Sequence, residues 1–122
     1  YLSSKVCLRP LGYDPMVNVL SLSDAARALR LAALSGSIGI LNIPGKDSMP
    51  LSELIHRAGR LGFALPGPLL TPLYDLRAHL TALRFNYSTD RSRFHHSVIL
   101  DGSKARAQLE FKPEVSVSFP VH

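Results

Sequence analysis

The spacing of apolar residues over 16–34 changes midway and predicts a strand followed by a helix. Over 16–22 the apolar residues occupy nearly alternate positions, which is typical of a short strand buried on one face. Beyond that point Asp24, Arg27 and Arg30 form a thin polar stripe among Ala and Leu residues. A helix with so little polar surface is expected to be largely buried.

Local chemistry marks both ends of this helix. Ser21 or Ser23 can accept a hydrogen bond from the unpaired N–H groups of the first turn. Asp24 would lie at the positive end of the helix dipole. Gly36 can adopt the left-handed backbone conformation of the residue that ends many helices. We therefore expect the helix to run from about residue 23 to residue 34.

Further strands are expected on either side of the helix. Residues 5–22 indicate a strand, a turn and a strand, because the Asp-Pro pair at 14–15 disfavours a helix. The almost continuous apolar run at 38–43 is typical of a strand covered on both faces, as in a parallel sheet. With the helix between them, the second strand and the run at 38–43 predict a right-handed βαβ unit.

Apolar spacing and end signals predict three more helices, over 51–58, 71–83 and 101–109. Residues 84–96 are polar and aromatic without a helical period, which predicts a loop that could hold a short strand. The tail at 115–119 alternates as an exposed edge would. Together these patterns predict a mixed α/β class, with short strands and about four helices.

Composition limits the class of protein. A chain of 122 residues with 46% hydrophobic residues can form one globular domain or part of one. No apolar run approaches the roughly 20 residues that span a bilayer. A single cysteine, Cys7, favours a reducing compartment, and we expect a cytoplasmic protein. The chain lacks a secretory signal pattern and an initiator Met, so a processed or excised piece is expected.

The net charge of +5 would suit an anionic partner. Ten of the fourteen cationic residues are Arg, and they are scattered rather than grouped in a run. This distribution argues against a nucleic-acid arm. It equally fits arginines that meet phosphate or carboxylate groups locally.

Three stretches carry motifs in a fixed order. The first stretch is residues 19–26, Val-Leu-Ser-Leu-Ser-Asp-Ala-Ala. It resembles a pattern in which a strand is followed by His-Val-x-Asp-Val/Leu-Ala at the start of a helix. Residues 39–45, Gly-Ile-Leu-Asn-Ile-Pro-Gly, resemble Gly-x-Tyr/Phe-Asn-x-x-Gly and are followed by the predicted helix at 51–58. Residues 101–113 resemble Asp-x-Ser-Lys-Ala-Arg-x-x-Leu-Gly-Trp/Phe-x-Pro. Together they resemble the C-terminal, substrate-binding part of the extended short-chain dehydrogenases/reductases, the NAD-dependent epimerase/dehydratase family.

This resemblance implies the C-terminal subdomain of a Rossmann-type enzyme without its cofactor domain. NAD(P) would bind to the missing cofactor domain, and the substrate would be a carbonyl or hydroxyl compound, often a nucleotide sugar. The family carries a phosphate-binding arginine in the loop before its late motif, where Arg91 and Arg93 stand. We expect these two residues to bind an anionic group of the substrate.

The chain also departs from the family pattern. The Gly-x-x-Gly-x-x-Gly turn that approaches the dinucleotide is absent, so no cofactor-binding residue is expected here. Ser21 replaces the motif histidine, and the arginine that often precedes this motif would fall near Val17. We expect Ser21 and Asn42 to satisfy backbone groups at strand ends.

No catalytic residue or metal ligand is expected in this chain. Tyr1 and Lys5 match the family's catalytic Tyr-x-x-x-Lys, but the pair runs directly into a predicted strand, and we interpret the match as coincidence. The five histidines show no His-x-x-x-His spacing, and no Cys-x-x-Cys pair exists.

Two other functions remain open at this point. One is a non-catalytic module derived from the family that binds a ligand or partner. The other is a basic helical module that binds nucleic acid. In the family that the chain resembles, the strand corresponding to 38–43 joins the sheet of the cofactor domain. Without that sheet its apolar edge would be exposed, so we expect the isolated chain to self-associate, with strand exchange between copies as one route.

Overall fold

A computed structural model describes residues 2–36, 39–80, 87–97 and 99–119. The described elements are β1 (Val6–Pro10), β2 (Met16–Val19), α1 (Leu22–Ser35), β3 (Asp47–Pro50), α2 (Leu51–Arg57), β4 (Leu61–Leu65), α3 (Gly67–Leu80), α4 (Tyr87–His95) and α5 (Ser103–Leu109). This arrangement confirms the predicted mixed α/β class. The chain divides into unit 1, formed by Tyr1–Met16, Pro50–Ser97 and Phe119–His122, and unit 2, formed by Val17–Met49 and Val98–Ser118.

Unit 1 is built on the parallel pair of β1 and β4, which runs in register from Val6 opposite Leu61 to Pro10 opposite Leu65. Helices α2, α3 and α4 contribute to the core beside β1. The buried residues of this core are Cys7, Leu51, Ile55, Leu70, Tyr74, Tyr87 and Phe94. The predicted first strand and the helix at 51–58 are thus confirmed.

Two helices of unit 1 differ from their predictions. Helix α3 begins at Gly67, four residues before the predicted start, and includes Pro72, while residues 81–83 lie outside the described residues. The loop predicted over 84–96 is wrong where the structure describes it, because residues 87–95 form α4. Tyr87 and Phe94 are both buried, and the Tyr87 ring stacks on Tyr74 with 5.5 Å between centroids.

Unit 2 contains α1, whose predicted ends are confirmed. Ser21 caps the helix through a hydrogen bond from the Asp24 N–H at 3.1 Å, and Gly36 adopts the left-handed conformation with φ 63°. The expectation that this helix is largely buried is wrong, because only Asp24 and Ala28 are buried along it. Leu29 is 73% exposed.

The predicted strand at 38–43 is wrong over the positions that the structure describes. Residues 39–45 have no strand conformation, and β2 pairs instead with β3. Leu41 and Ile43 pack against the small core of Ala28, Leu109 and Phe111, so their apolar character comes from side-chain packing rather than a sheet. The expected βαβ unit therefore does not form there. Residues 115–119 also lack the expected strand conformation.

None of the helices in the described ranges is long and apolar enough to cross a bilayer.

Candidate ligand-binding site

The three motif stretches all lie in unit 2, where they contact one another. Gly45, which ends the second stretch, lies against the backbone of the first: a Cβ at Gly45 would be 1.8 Å from the carbonyl oxygen of Val19. The third stretch meets the second at two points. A Cβ at Gly102 would be 2.5 Å from Cγ of Pro44, and Lys104 Nζ donates to the carbonyl oxygen of Ile40 at 3.1 Å.

Asn18, which directly precedes the first stretch, also bonds to the second, although the sequence did not single it out. Its Oδ1 accepts from the Gly45 N–H at 2.6 Å, and its Nδ2 donates to the Gly45 carbonyl oxygen at 3.0 Å. We expected Asn42 to satisfy backbone groups in this way, but Asn42 is exposed. The only local signal for Asn18 was a polar residue inside an apolar strand.

Asp24 connects the start of α1 to the chain that follows α5. Its side chain is buried, and its Oδ2 accepts from the N–H groups of Glu114 and Val115, each at 3.0 Å. Its Oδ1 accepts from Arg27 at 2.9 Å. The hydrogen bond from Val115, with those from Glu114 and Arg27, holds the pKa of Asp24 below its usual value although burial opposes this.

Arg27 extends this connection on the surface of unit 2. It pairs with Glu114, donates to the carbonyl oxygen of Lys112 and lies over the Phe111 ring, 5.3 Å from its centroid. Because Asp24 and Arg27 are engaged with each other and with the segment at 111–115, both residues stabilise the fold. The polar residues of the motif stretches that the structure connects are thus structural.

The open space of unit 2 is an apolar groove of about 430 Å³. It is lined by one face of α1, by the irregular segment at 39–43 and by single residues from elsewhere in the unit. The lining residues are Leu20, Ala25, Ala28, Leu29, Ala32, Gly39, Leu41, Ile43 and Leu109. A groove without a polar side chain in its lining suits the apolar surface of another chain segment better than a charged ligand.

The predicted anion-binding residues lie on α4, which belongs to unit 1 and not to the unit that holds the motif stretches. Arg91 is exposed, and the side chain of Arg93 lies outside the described residues. Of the Tyr-x-x-x-Lys match, Tyr1 also lies outside them, and Lys5 is an exposed residue of the turn that precedes β1.

In the part of the chain that the structure describes, no group of three or more His, Cys, Asp or Glu side chains is placed to hold a metal ion. Cys7 is buried in the core of unit 1, and burial raises the pKa of its thiol. A raised thiol pKa lowers the fraction of the reactive thiolate.

Comparison with known proteins finds uncharacterised mycobacterial relatives. Proteins from two strains of Mycobacterium tuberculosis and one of Mycobacterium bovis are each 29% identical to this chain over 119 residues. The match covers 93% of this chain but only 30% of each relative, so the chain spans about a third of their length. No family model matches the chain. No solved structure matches it either.

Proposed function

We propose that this chain is the substrate-binding part of an NAD(P)-dependent epimerase, dehydratase or reductase, and that it is inactive without a cofactor-binding domain. The proposal rests on the resemblance of the three motif stretches to the extended short-chain dehydrogenases/reductases. One structural observation supports it: the stretches, separated along the chain, contact one another within unit 2.

The particular contacts add to this support. Gly45 stands where a side chain would collide with the backbone of the first stretch, and Asp24 accepts hydrogen bonds from the segment that follows the third stretch. Gly45 and Asp24 are motif positions whose residue type the packing requires. The family pattern at these positions therefore has a physical reason in this chain.

The proposed cofactor-binding domain would cover the apolar groove of unit 2. The groove exposes Leu29 on α1, and Ile40 beside it is 87% exposed. Burial of such residues contributes roughly 25 cal/mol per Å² of apolar surface. The mycobacterial relatives are long enough to contain a second domain, since the match covers 30% of their length.

Within this proposal, Arg91 and Arg93 bind the diphosphate of a nucleotide sugar. A guanidinium group presents paired N–H donors that match phosphate oxygens. The nicotinamide of NAD(P), held by the other domain, would exchange hydride with the substrate carbon, and this chain would position that substrate.

The test uses the parent protein that contains this chain. We expect it to bind a uridine or thymidine diphosphate sugar by calorimetry and to bind NAD(H) or NADP(H). The double variant Arg91→Ala/Arg93→Ala should weaken nucleotide-sugar binding by about tenfold or more. Arg30→Ala is the matched control, because Arg30 is an exposed arginine of α1 in unit 2.

The outcomes separate the parts of the proposal. Sugar binding without turnover would favour the non-catalytic module. An unchanged affinity in the double variant would contradict the role of the two arginines. A parent protein that binds neither a dinucleotide nor a nucleotide sugar would overturn the proposed function.

A further inference from the structure

A second pocket, in unit 1, gathers cationic side chains from three parts of the chain. Its volume is about 260 Å³, and its lining contains the cationic or ionisable residues Arg9, His56 and Arg60. The remaining lining residues are Ser52, Ile55, Leu61 and Gly62. No acidic residue is among them.

The parallel pairing of β1 and β4 builds this pocket. Alternate residues of a strand face the same side, so Arg9 shares the side of Cys7, which packs in the core with Ile55 of α2. Gly62 lies opposite Cys7 in the register, and a Cβ there would be 3.2 Å from Cγ2 of Ile55. The absence of a side chain at Gly62 lets α2 approach the strands.

Helix α2 and the turn that follows it supply the other polar groups. Ser52 and His56 are four residues apart, so they lie on one face of the helix. Arg60 follows the helix, and its Nε donates to the carbonyl oxygen of Leu2 at 3.1 Å, which fixes the base of the guanidinium. Arg60 also lines the pocket.

The nearby carboxylates are already engaged. Asp14 accepts from the Ser52 N–H at 3.0 Å and from the Ser52 hydroxyl. Glu53 pairs with Arg57 at 2.8 Å on the outer side of α2. Among the residues that the structure describes, no carboxylate forms an ion pair with Arg9 or Arg60. A bound anion could pair with both arginines, which the described carboxylates do not.

We propose that this pocket binds a phosphate group, either inorganic phosphate or the phosphate of a small ester. Two guanidinium groups and an imidazole from different parts of the chain line the pocket, which suits a doubly charged phosphate better than a singly charged carboxylate. The volume admits a phosphate and a small organic part but is below the usual range for larger ligands. The site does not depend on the proposed function, because all three motif stretches lie in unit 2.

The test titrates inorganic phosphate into the ¹⁵N-labelled 122-residue chain at low ionic strength and follows amide chemical shifts. We expect saturable shifts at Arg60, Leu61 and Gly62. Sodium acetate, the carboxylate probe, should bind more weakly than phosphate. A phosphate monoester, glycerol 3-phosphate, tests whether the pocket takes the esterified group, and stronger binding than inorganic phosphate would identify an ester as the ligand.

Matched variants decide whether the pocket is the site. Arg9→Gln and Arg60→Gln should each weaken phosphate binding at least about fivefold. Arg57→Gln removes the same charge from the paired, outward-facing arginine of α2 and should leave phosphate binding unchanged. Circular dichroism and thermal unfolding check that each variant folds, and Arg9→Lys should retain part of the affinity if charge is what the pocket supplies.

Three results would overturn the proposal. The first is the absence of saturable shifts with phosphate or glycerol 3-phosphate. The second is an equal loss of binding in Arg57→Gln, which would indicate general attraction to a basic chain. The third is acetate binding as strong as phosphate binding.

Discussion

Asp24 is the residue whose ionisation matters most to unit 2, because its buried carboxylate joins α1 to the segment after α5. Hydrogen bonds, from Val115 above all, place its folded-state pKa below the ordinary value of 3.8. As the pH falls, the unfolded chain therefore takes up this proton first. The stabilisation is present above the ordinary pKa and is lost as the pH falls through the folded-state pKa.

The variant Asp24→Asn tests this contribution. We expect a lower free energy of unfolding than in the native chain near neutral pH, measured by urea denaturation, because the charged hydrogen bonds are lost. The difference in free energy of unfolding between the two proteins should shrink below about pH 4, because the carboxylate of the native chain becomes protonated there and its charged hydrogen bonds are lost. A difference that is constant from neutral to acidic pH would show that the charge of Asp24 does not contribute.

Gly45 and Gly67 form a matched pair for a second residue-scale prediction. Gly45→Ala should cost at least about 1–3 kcal/mol in free energy of unfolding, because the new methyl group meets the Val19 backbone. Gly67→Ala at the start of α3 has no atom within 4 Å of the new Cβ and should be neutral or stabilising. Chemical denaturation measures both. Equal tolerance of the two substitutions would contradict the close approach at Gly45.

At this scale the sequence predicted what local chemistry determines. Ser21 and Gly36 mark the ends of α1, because capping depends on the helix's own backbone groups. The pairing of Asp24 with the N–H groups of Glu114 and Val115 could not be predicted, since the partners are about ninety residues away. The same holds for Arg9 and Arg60, which only the parallel pairing of β1 and β4 brings to one pocket.

The elements that the sequence predicted wrongly are those whose form depends on tertiary contacts. The apolar run at 39–43 supplies Leu41 and Ile43 to a core beside α1 without joining a sheet. Helix α4 has a polar sequence, and among its described side chains Tyr87 and Phe94 are the two that belong to the core. Their spacing of seven residues, two helical turns, was the one signal of a helix in a segment that otherwise has no apolar period.

Helix α3 is held to β1 by polar contacts from Tyr74 and from Arg77, whose guanidinium donates to the Val6 carbonyl oxygen at 2.9 Å. The hydroxyl of Tyr74 donates to the Leu8 carbonyl oxygen at 2.8 Å and accepts from the Leu8 N–H at 3.2 Å. We expect Tyr74→Phe to lower the free energy of unfolding by about 1–3 kcal/mol, since both Leu8 groups lose this partner.

Tyr13→Phe is the control for that substitution. Tyr13 is 40% exposed, and its hydroxyl hydrogen-bonds to Ser97 at the surface, where water can replace the lost partner. Its loss should change the free energy of unfolding by less than about 0.5 kcal/mol. If both variants lose the same amount, the Tyr74 hydroxyl is not what ties α3 to β1.

On the scale of the whole molecule, unit 2 exposes an apolar surface that its own residues do not cover. Leu22, Leu29 and Ile40 are 87%, 73% and 87% exposed. We expect the isolated chain to self-associate through these residues in the micromolar range. A second copy of the chain would then cover the apolar surface that the proposed cofactor domain covers in the parent protein. Strand exchange at 38–43 is no longer the expected route, because residues 39–43 are irregular.

Sedimentation velocity of surface variants tests this expectation. Leu29→Glu/Ile40→Glu should shift the chain toward the monomer. Leu11→Glu adds a charge at a leucine of unit 1 that is 62% exposed, and it should leave self-association unchanged because Leu11 does not belong to the apolar surface of unit 2. A native chain that stays monomeric across the micromolar range would contradict the prediction.

The central claim is that this chain supplies the substrate-binding part of a protein whose dinucleotide site lies elsewhere. The most direct measurement is the titration of NADH and NADPH, followed by nicotinamide fluorescence, against both the parent protein and the 122-residue chain. The account predicts saturable binding of at least one dinucleotide by the parent and none by the chain, which lacks the glycine-rich turn. Binding by the isolated chain, or no binding by the parent, would contradict it.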